Sequence, residues 1–192
     1  FSPHMNRVLE VNQEEGWCRV EPGLVQDELN AHLMPLGLLF GPDTSTSNRA
    51  TLGGMIGNNS GGAHSIAYGL TLEHVIEVTA LLADGSRVVF GEVPPEVFRQ
   101  KMQVPGLEGQ IYREVARIKE QYADEIRARY PKHWRRVCGY NLDELLKDRP
   151  LNMARLVVGS EGTLLTVVEA KVRLVPRPKK TALDVVHYRD IQ

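Results

Sequence analysis

The chain has 192 residues, 42% of them hydrophobic and 24% charged. That length can bury roughly 70% of the unfolded surface, and the composition excludes disordered, collagenous and low-complexity classes. Lys and Arg number 23 against 24 Asp and Glu, which argues against a general polyanion binder, and no apolar run approaches the roughly 18 residues of a membrane span.

Residues 7–21 read as a hairpin: Leu9 and Val11 alternate with polar neighbours, Glu15-Gly16 turns, and Trp17 to Glu21 returns. Residues 24–34 read as a helix, with Val25, Leu29 and Leu33 on one face and Pro35 and Gly37 ending it. Residues 41–69 carry no strong helix or strand period. Val75 to Ala83 predicts a strand, Asp84-Gly85 a two-residue turn, and Arg87 to Phe90 the return strand. Pro94-Pro95 opens a short helix. Leu107, Ile111, Val115, Ile118, Tyr122 and Ile126 step by three or four and predict the clearest helix, over 107–128. A loop or broken helix covers 130–150. Strands follow over 163–175, and a last one runs from Leu183 to Tyr188. Hairpins dominate over βαβ units, so the expected class is α+β with a largely antiparallel sheet.

Cys18 and Cys138 lie far apart with no metal-ligand spacing, and read as reduced structural thiols of a cytoplasmic protein. The chain opens at Phe1-Ser2-Pro3 without an initiator Met and stops straight after a strand-like run. A piece of a longer protein is expected.

The stretch Gly41 to Gly69 holds most of the chemistry. Only Asp43 and Arg49 are charged in it, and six of the chain's 17 glycines fall between Gly53 and Gly69. Glycine lets backbone approach a ligand closely, Thr44 to Ser47 offer hydroxyls, and Asn58 and Asn59 offer amides. Thr51 caps a predicted short helix over Leu52 to Gly57, whose N-terminus would favour an anion. The pattern points to phosphate or diphosphate cradling, although neither a Walker A nor a G-x-G-x-x-G spacing is present.

Three motifs in order carry a resemblance. Pro42-Asp43-Thr44-Ser45-Thr46 with Thr51 to Gly62 and Tyr68-Gly69 forms the first; Cys138-Gly139-Tyr140-Asn141-Leu142 the second; Val158-Gly159-Ser160-Glu161-Gly162-Thr163-Leu164 with Thr166 to Ala170 the third. Together they resemble the FAD-binding core of the vanillyl-alcohol oxidase / p-cresol methylhydroxylase (PCMH-type) flavoproteins, in the D-lactate and D-2-hydroxyglutarate dehydrogenase branch. The opening, Ser2 to Val8, resembles the strand leading into that family's second FAD subdomain.

The resemblance implies a PCMH-type FAD-binding fold, mainly its second subdomain, with an antiparallel-rich sheet flanked by helices. It makes 1–192 one partial FAD-binding domain without the N-terminal FAD subdomain and the C-terminal substrate cap. FAD is the implied cofactor. Pro42, Asp43 and Thr44 would approach the flavin and ribityl side; Thr51, Gly53, Gly54, Gly57, Asn58, Ser60, Gly61 and Gly62 would line diphosphate and isoalloxazine. Tyr68 and Gly69 would close the loop, Glu161 and Gly162 would hold a turn near the cofactor, and Thr166 and Val167 would flank the adenine. The implied reaction oxidises a small D-2-hydroxy acid to the 2-oxo acid by hydride transfer to flavin N5, with the base outside this chain and an iron–sulfur module as the next carrier. A same-fold reductase or oxidase on another substrate, and a non-catalytic nucleotide- or partner-binding module, stay open. Gly139 to Leu142 favours the hydroxy-acid branch.

Residues 127–136, rich in Arg with Tyr130, His133 and Trp134, admit three readings: a solvated helix end, a nucleic-acid patch, which the neutral net charge disfavours, or a substrate role in which Arg135 or Arg136, with Tyr140, meets a carboxylate. No histidine pair has metal spacing, so no metal site is expected. No transmembrane segment is expected; cytoplasmic location, or peripheral membrane association of the parent, is. A face left bare by the missing parts is expected to self-associate.

Overall fold

The computed structural model describes residues 3–137, 139–188 and 190. Cys138, and Ser2 in the opening motif, lie outside them. The first hairpin forms as β1 (Val8–Asn12) and β2 (Trp17–Val20), followed by α1 (Gln26–Leu33) and the two-residue β3 (Leu38–Leu39). Then come α2 (Leu52–Asn58), α3 (Ser65–Tyr68) and α4 (Thr71–His74). The second hairpin is β4 (Val75–Leu81) with β5 (Arg87–Phe90), followed by β6 (Glu92–Val93), α5 (Pro95–Lys101) and the long α6 (Gly106–Arg129). The chain continues through β7 (Leu151–Asn152), α7 (Ala154–Val157), β8 (Thr166–Arg173) and β9 (Val175–Pro176).

Five strands make one sheet in the order β1-β2-β8-β4-β5, with every pairing antiparallel. The late strand β8 is central, wedged between the two early hairpins. Cys18 sits opposite Val172, Val20 opposite Ala170, and Val78 opposite Ala170 and Phe90; all these side chains point into the core. The other face carries charge. Arg19 meets Glu77 at 2.9 Å, Arg87 meets Glu169 at 2.7 Å, and Lys171 lies 3.7 Å from the Trp17 ring centroid. This alternation is the period-2 signature of a sheet with one solvated face.

Helix α1 buries Leu29 and Leu33 completely, each contributing about 1.5–3 kcal/mol on burial. Helix α6 packs on the buried face of the sheet beside Phe90 of β5. Tyr112, which the three-and-four spacing passed over, is its most buried residue and packs edge-on to Phe90 and Phe98. Burial pushes its hydroxyl up to about 12.

Three expectations change. The second hairpin turns through Ala83–Gly85 rather than two residues: Leu82 N–H donates to Ser86 O, Gly85 takes φ 80°, and Asp84 accepts from the Ser86 amide and hydroxyl. Residues 163–165 are not strand, so the strands of this stretch begin only at Thr166, as the long β8 followed by the start of the short β9 at Val175. Leu183 to Tyr188 is not a strand. Leu183 is 91% and Tyr188 82% exposed. Alternation reports amphipathy, whereas a strand also needs a neighbour's backbone, and none of the described residues supplies one here.

Candidate functional site

The three motifs converge. Helix α2 starts where sequence chemistry puts it: Thr51 Oγ1 accepts from Gly54 N–H at 3.2 Å. The Gly159-Ser160-Glu161-Gly162 turn then docks on its other end. Gly159 N–H donates to Ile56 O and Glu161 N–H to Gly57 O, both at 2.9 Å. The turn needs three left-handed residues: Gly159 (φ 84°), Glu161 (φ 50°) and Gly162 (φ 77°). The remaining motif holds it from behind. Asn141, 3% exposed, donates to Val158 O at 2.6 Å, and Tyr140 OH is 2.9 Å from Thr163 Oγ1.

Between them lies a cavity of about 350 Å³, within the lower part of the usual ligand range of about 300–1,000 Å³. Of the expected residues, Thr51, Gly53, Gly54, Gly57, Gly162, Thr166 and Val167 line it. Pro22, Gly23, Ile56, Val157, Ser160 and Leu165 complete the wall; Pro22 and Gly23 carried no sequence signal. A Cβ on Gly162 would meet nothing within 4 Å, and one on Gly57 only Glu161 Cα at 3.7 Å.

The anion-binding helix terminus does not survive. Leu52 N–H donates to Leu24 O (2.9 Å), Gly53 N–H to Pro22 O (2.7 Å) and Gly54 N–H to the Thr51 hydroxyl. The first-turn donors of α2 are spent inside the protein. The Gly162 amide, by contrast, makes no hydrogen bond among the described residues.

The other expected residues form a second cluster that does not line this cavity. Gln26, 2% exposed, donates to Pro42 O at 2.5 Å and accepts from Thr44 Oγ1 at 3.1 Å; nothing in the sequence singled it out. Asp43 accepts from His64 N–H at 3.2 Å and faces His64 Nδ1 at 2.8 Å. Asn58 Nδ2 reaches Ser60 Oγ at 3.3 Å, and Ser60 O accepts from the Thr71 amide and hydroxyl. Gly61 and Gly62 are glycines for packing. A Cβ on Gly61 would strike Leu70 and Ser65, and one on Gly62 would lie 2.7 Å from Asp43 O. Tyr68 O accepts from His74 Nε2 at 2.7 Å, and Gly69 (φ 85°) closes the loop. Asn59, buried at φ 49°, ties this loop to Leu72 N and Arg136 O.

Three cations of the Arg-rich stretch are paired locally. Arg127 pairs with Asp124 and Arg129 with Glu125, and Arg136 meets Asp143 at 2.7 Å beneath the Tyr130 ring. Arg135 reaches back to Gly61 O at 3.5 Å. Behind them Glu144, its side chain 2% exposed, takes Lys147, Arg149 and Arg155. Burial alone would raise its carboxyl, but these three cations hold it below the usual range.

A one-sided antiparallel sheet, with glycine motifs from three parts of the chain meeting over its helices, is the architecture of a PCMH-type FAD-binding domain. Solved structures of alkyldihydroxyacetonephosphate synthase show the same fold: TM-score 0.55 at 20% identity, over 92% of this chain and 22% of that one. Residues 1–91 match the family described as FAD binding domain. The chain is 42% identical over 181 residues to the D-2-hydroxyglutarate dehydrogenase of Pantoea ananatis, covering 93% of this chain and 18% of that protein. It is 42% identical over 189 residues to the protein of that name from Pseudomonas putida, covering 98% and 19%. It is 32% identical over 182 residues to the glycolate oxidase subunit GlcD of Bacillus subtilis, covering 94% and 28%. The chain thus spans about a fifth of the length of the first of these relatives.

The residues present fit part of an FAD. The cavity wall is backbone and small side chains at Gly54, Gly57 and Gly162, with an unused amide at Gly162. Its volume suits one end of a dinucleotide rather than the whole.

Proposed function

We propose that the chain forms part of the FAD site of an enzyme that oxidises a D-2-hydroxy acid to the 2-oxo acid. The observation that carries this reading is the 42% identity, over nearly the whole chain, to proteins named D-2-hydroxyglutarate dehydrogenase. FAD, when bound, supplies the acceptor for the hydride lost from the substrate α-carbon. The chain's own residues bind and orient. Gly54, Gly57 and Gly162 keep one wall free of side chains, Gly162 N–H and the Thr51 and Thr166 hydroxyls offer donors, and Ile56, Val157, Leu165 and Val167 exclude water. The cluster from Pro42, Asp43 and Thr44 through Asn58, Ser60, Gly61 and Gly62 to Tyr68 and Gly69 meets the rest of the cofactor, and Glu161 sets the turn. In this reading Arg135, which donates to Gly61 O at 3.5 Å, or Arg136 meets a substrate carboxylate.

The longer protein implied by the relatives' lengths should purify yellow and reduce a dye with D-2-hydroxyglutarate or D-lactate. A flavin-loaded protein that reduces no dye with any D-2-hydroxy acid overturns the reading. In the same proposal the chain is one partial domain, the remaining FAD contacts and the substrate cap come from other parts of that protein, and an iron–sulfur module takes the electrons. The iron–sulfur step rests on the resemblance alone, and iron analysis of the longer protein tests it. The free, buried Cys18 supports a reducing, cytoplasmic compartment, which cell fractionation checks. No helix among the described residues is long and apolar enough to cross a membrane.

A further inference from the structure

The cavity wall at Gly57 and Gly162 has no side chains, and glycine has the most backbone freedom to lose on ordering. The spacing of the two glycines is therefore set by whatever braces α2 and the Gly159–Gly162 turn from outside. One residue joins both ends of that brace.

Asn59 ends α2. It takes the left-handed conformation (φ 49°, ψ 50°), and its N–H donates to Ile56 O, the carbonyl that also accepts from Gly159 N–H. The residue is 1% exposed, and its amide works in two directions. Oδ1 accepts from Leu72 N–H at 2.9 Å, and Nδ2 donates to Arg136 O at 3.0 Å. From Arg136 a run of single contacts leads back to the turn. The guanidinium lies 4.5 Å from the Tyr130 ring centroid and donates to Asp143 Oδ2 and Pro131 O. Arg136 Nε and Asp143 Oδ1 are buried and make no hydrogen bond among the described residues, so this pair is packed shut. Tyr130 OH donates to Tyr140 O, and Thr163 Oγ1 donates to Ser160 O at 2.6 Å. That spends the one Thr163 hydroxyl proton, so Tyr140 OH is the donor in its 2.9 Å contact with Thr163 Oγ1. Gly159 then returns to Ile56 O, and the ring of contacts is closed.

We propose that Asn59 is a positioning residue of the cofactor site. Through Arg136 O it holds Tyr130, Arg136 and Tyr140 as a strap, the strap fixes the Gly159–Gly162 turn against α2, and the gap between Gly57 and Gly162 follows. Asn59 itself does not line the glycine-walled cavity. An amide is needed because it supplies an acceptor for Leu72 and a donor for Arg136 at once; Asp tolerates the same left-handed φ but has no donor when ionised. The role rests on the FAD reading above.

The longer protein is prepared as wild type, Asn59→Asp, Tyr140→Phe and the double variant. Each is stripped of flavin and titrated with FAD, and peptide-resolved hydrogen exchange follows residues 159–163. At pH 7 Asn59→Asp is expected to bind FAD at least about tenfold more weakly, the effect of leaving a buried hydrogen bond unmade. Exchange at 159–163 should quicken, while β4 and β8 stay as protected as in wild type. Acid should reverse the loss. A protonated carboxyl regains the donor, and burial raises a carboxyl, so FAD affinity of Asn59→Asp should climb back between about pH 7 and 5. The charged and titratable groups sharing a cavity wall with Asn59 are Glu73 and His74 on α4, Arg136, Asp143 and Glu144 opposite, and Arg173 on β8. All are common to wild type, whose pH profile is the control; a merely structural lesion would not recover in acid. Tyr140→Phe opens the ring at its far end, so the double variant should lose no more than the worse single one. Unchanged FAD affinity in Asn59→Asp, a loss that acid does not restore, exchange that quickens only beside residue 59, or losses that add in the double variant each overturn the proposal while leaving the FAD reading intact. Wild-type protein that takes up no FAD overturns that reading, and the role of Asn59 with it.

Discussion

Glycine serves two purposes in the Gly41–Gly69 stretch, and composition does not separate them. Gly53, Gly61 and Gly62 have no room for a Cβ because Pro22, Leu70, Ser65 and Asp43 press on them, whereas Gly57 has ordinary room. Gly61→Ala is therefore expected to destabilise the chain by about 1–3 kcal/mol through overpacking, read as a lower urea midpoint. Gly57→Ala should keep or slightly raise the midpoint, since alanine is the better helix residue by roughly 1 kcal/mol. It should nevertheless weaken FAD uptake by narrowing the cavity; unchanged FAD affinity would remove Gly57 from the proposed site. Cys18 offers a separate check. It is wholly buried, and burial pushes its thiol up to about 12. The folded thiol stays neutral where an unfolded one, near 8.5, ionises, so this contribution is intact below about pH 8.5 and lost as pH rises towards 12. In a Cys138→Ser background a thiol reagent should label Cys18 only as fast as the chain unfolds.

Short elements carry the site, and local chemistry decides them one at a time. Thr51 caps α2 as its hydroxyl suggests, so Thr51→Ala should cost about 1 kcal/mol, measured by chemical denaturation. What capping could not reveal is that Leu24 and Pro22 take the next amides. That is why the expected phosphate terminus gives way to a wall of glycine. The segment around Glu144 is held by one carboxylate and three cations. Its folded carboxyl lies below its unfolded value, so the stabilisation is complete above the ordinary carboxylate range near 4.3 and fades as pH falls towards the folded value. The gap in urea midpoint between wild type and Glu144→Gln should therefore be widest near neutrality and shrink below pH ~4. A gap independent of pH would show that packing rather than charge holds the segment.

At the scale of the whole molecule, exposed apolar side chains are scattered, Leu81 and Val89 on the strands of the sheet among them, but four lie close together in sequence at Leu183, Val185, Val186 and Tyr188. Deleting 181–192 should leave the melting temperature unchanged and reduce any self-association seen by sedimentation; a large loss of stability would mean that the segment packs after all. The hairpins, the long helix, the Thr51 cap and the three motifs were legible in the sequence because each depends on residues close together: alternation, three-and-four spacing, a hydroxyl before a helix, glycine in a turn. The four-residue helices α3, α4 and α7 were not, since a single turn is too short to show a period. Nor were the central place of β8, the burial of Gln26, the use of the α2 amides by Leu24 and Pro22, or the unpaired atoms of Arg136 and Asp143. The sequence by itself carried the family resemblance, the first two hairpins, α1 and the long helix. Only the tertiary structure decided which donors are spent, which glycines face space and which charges stay unpaired, because each depends on the distance between residues far apart in the chain.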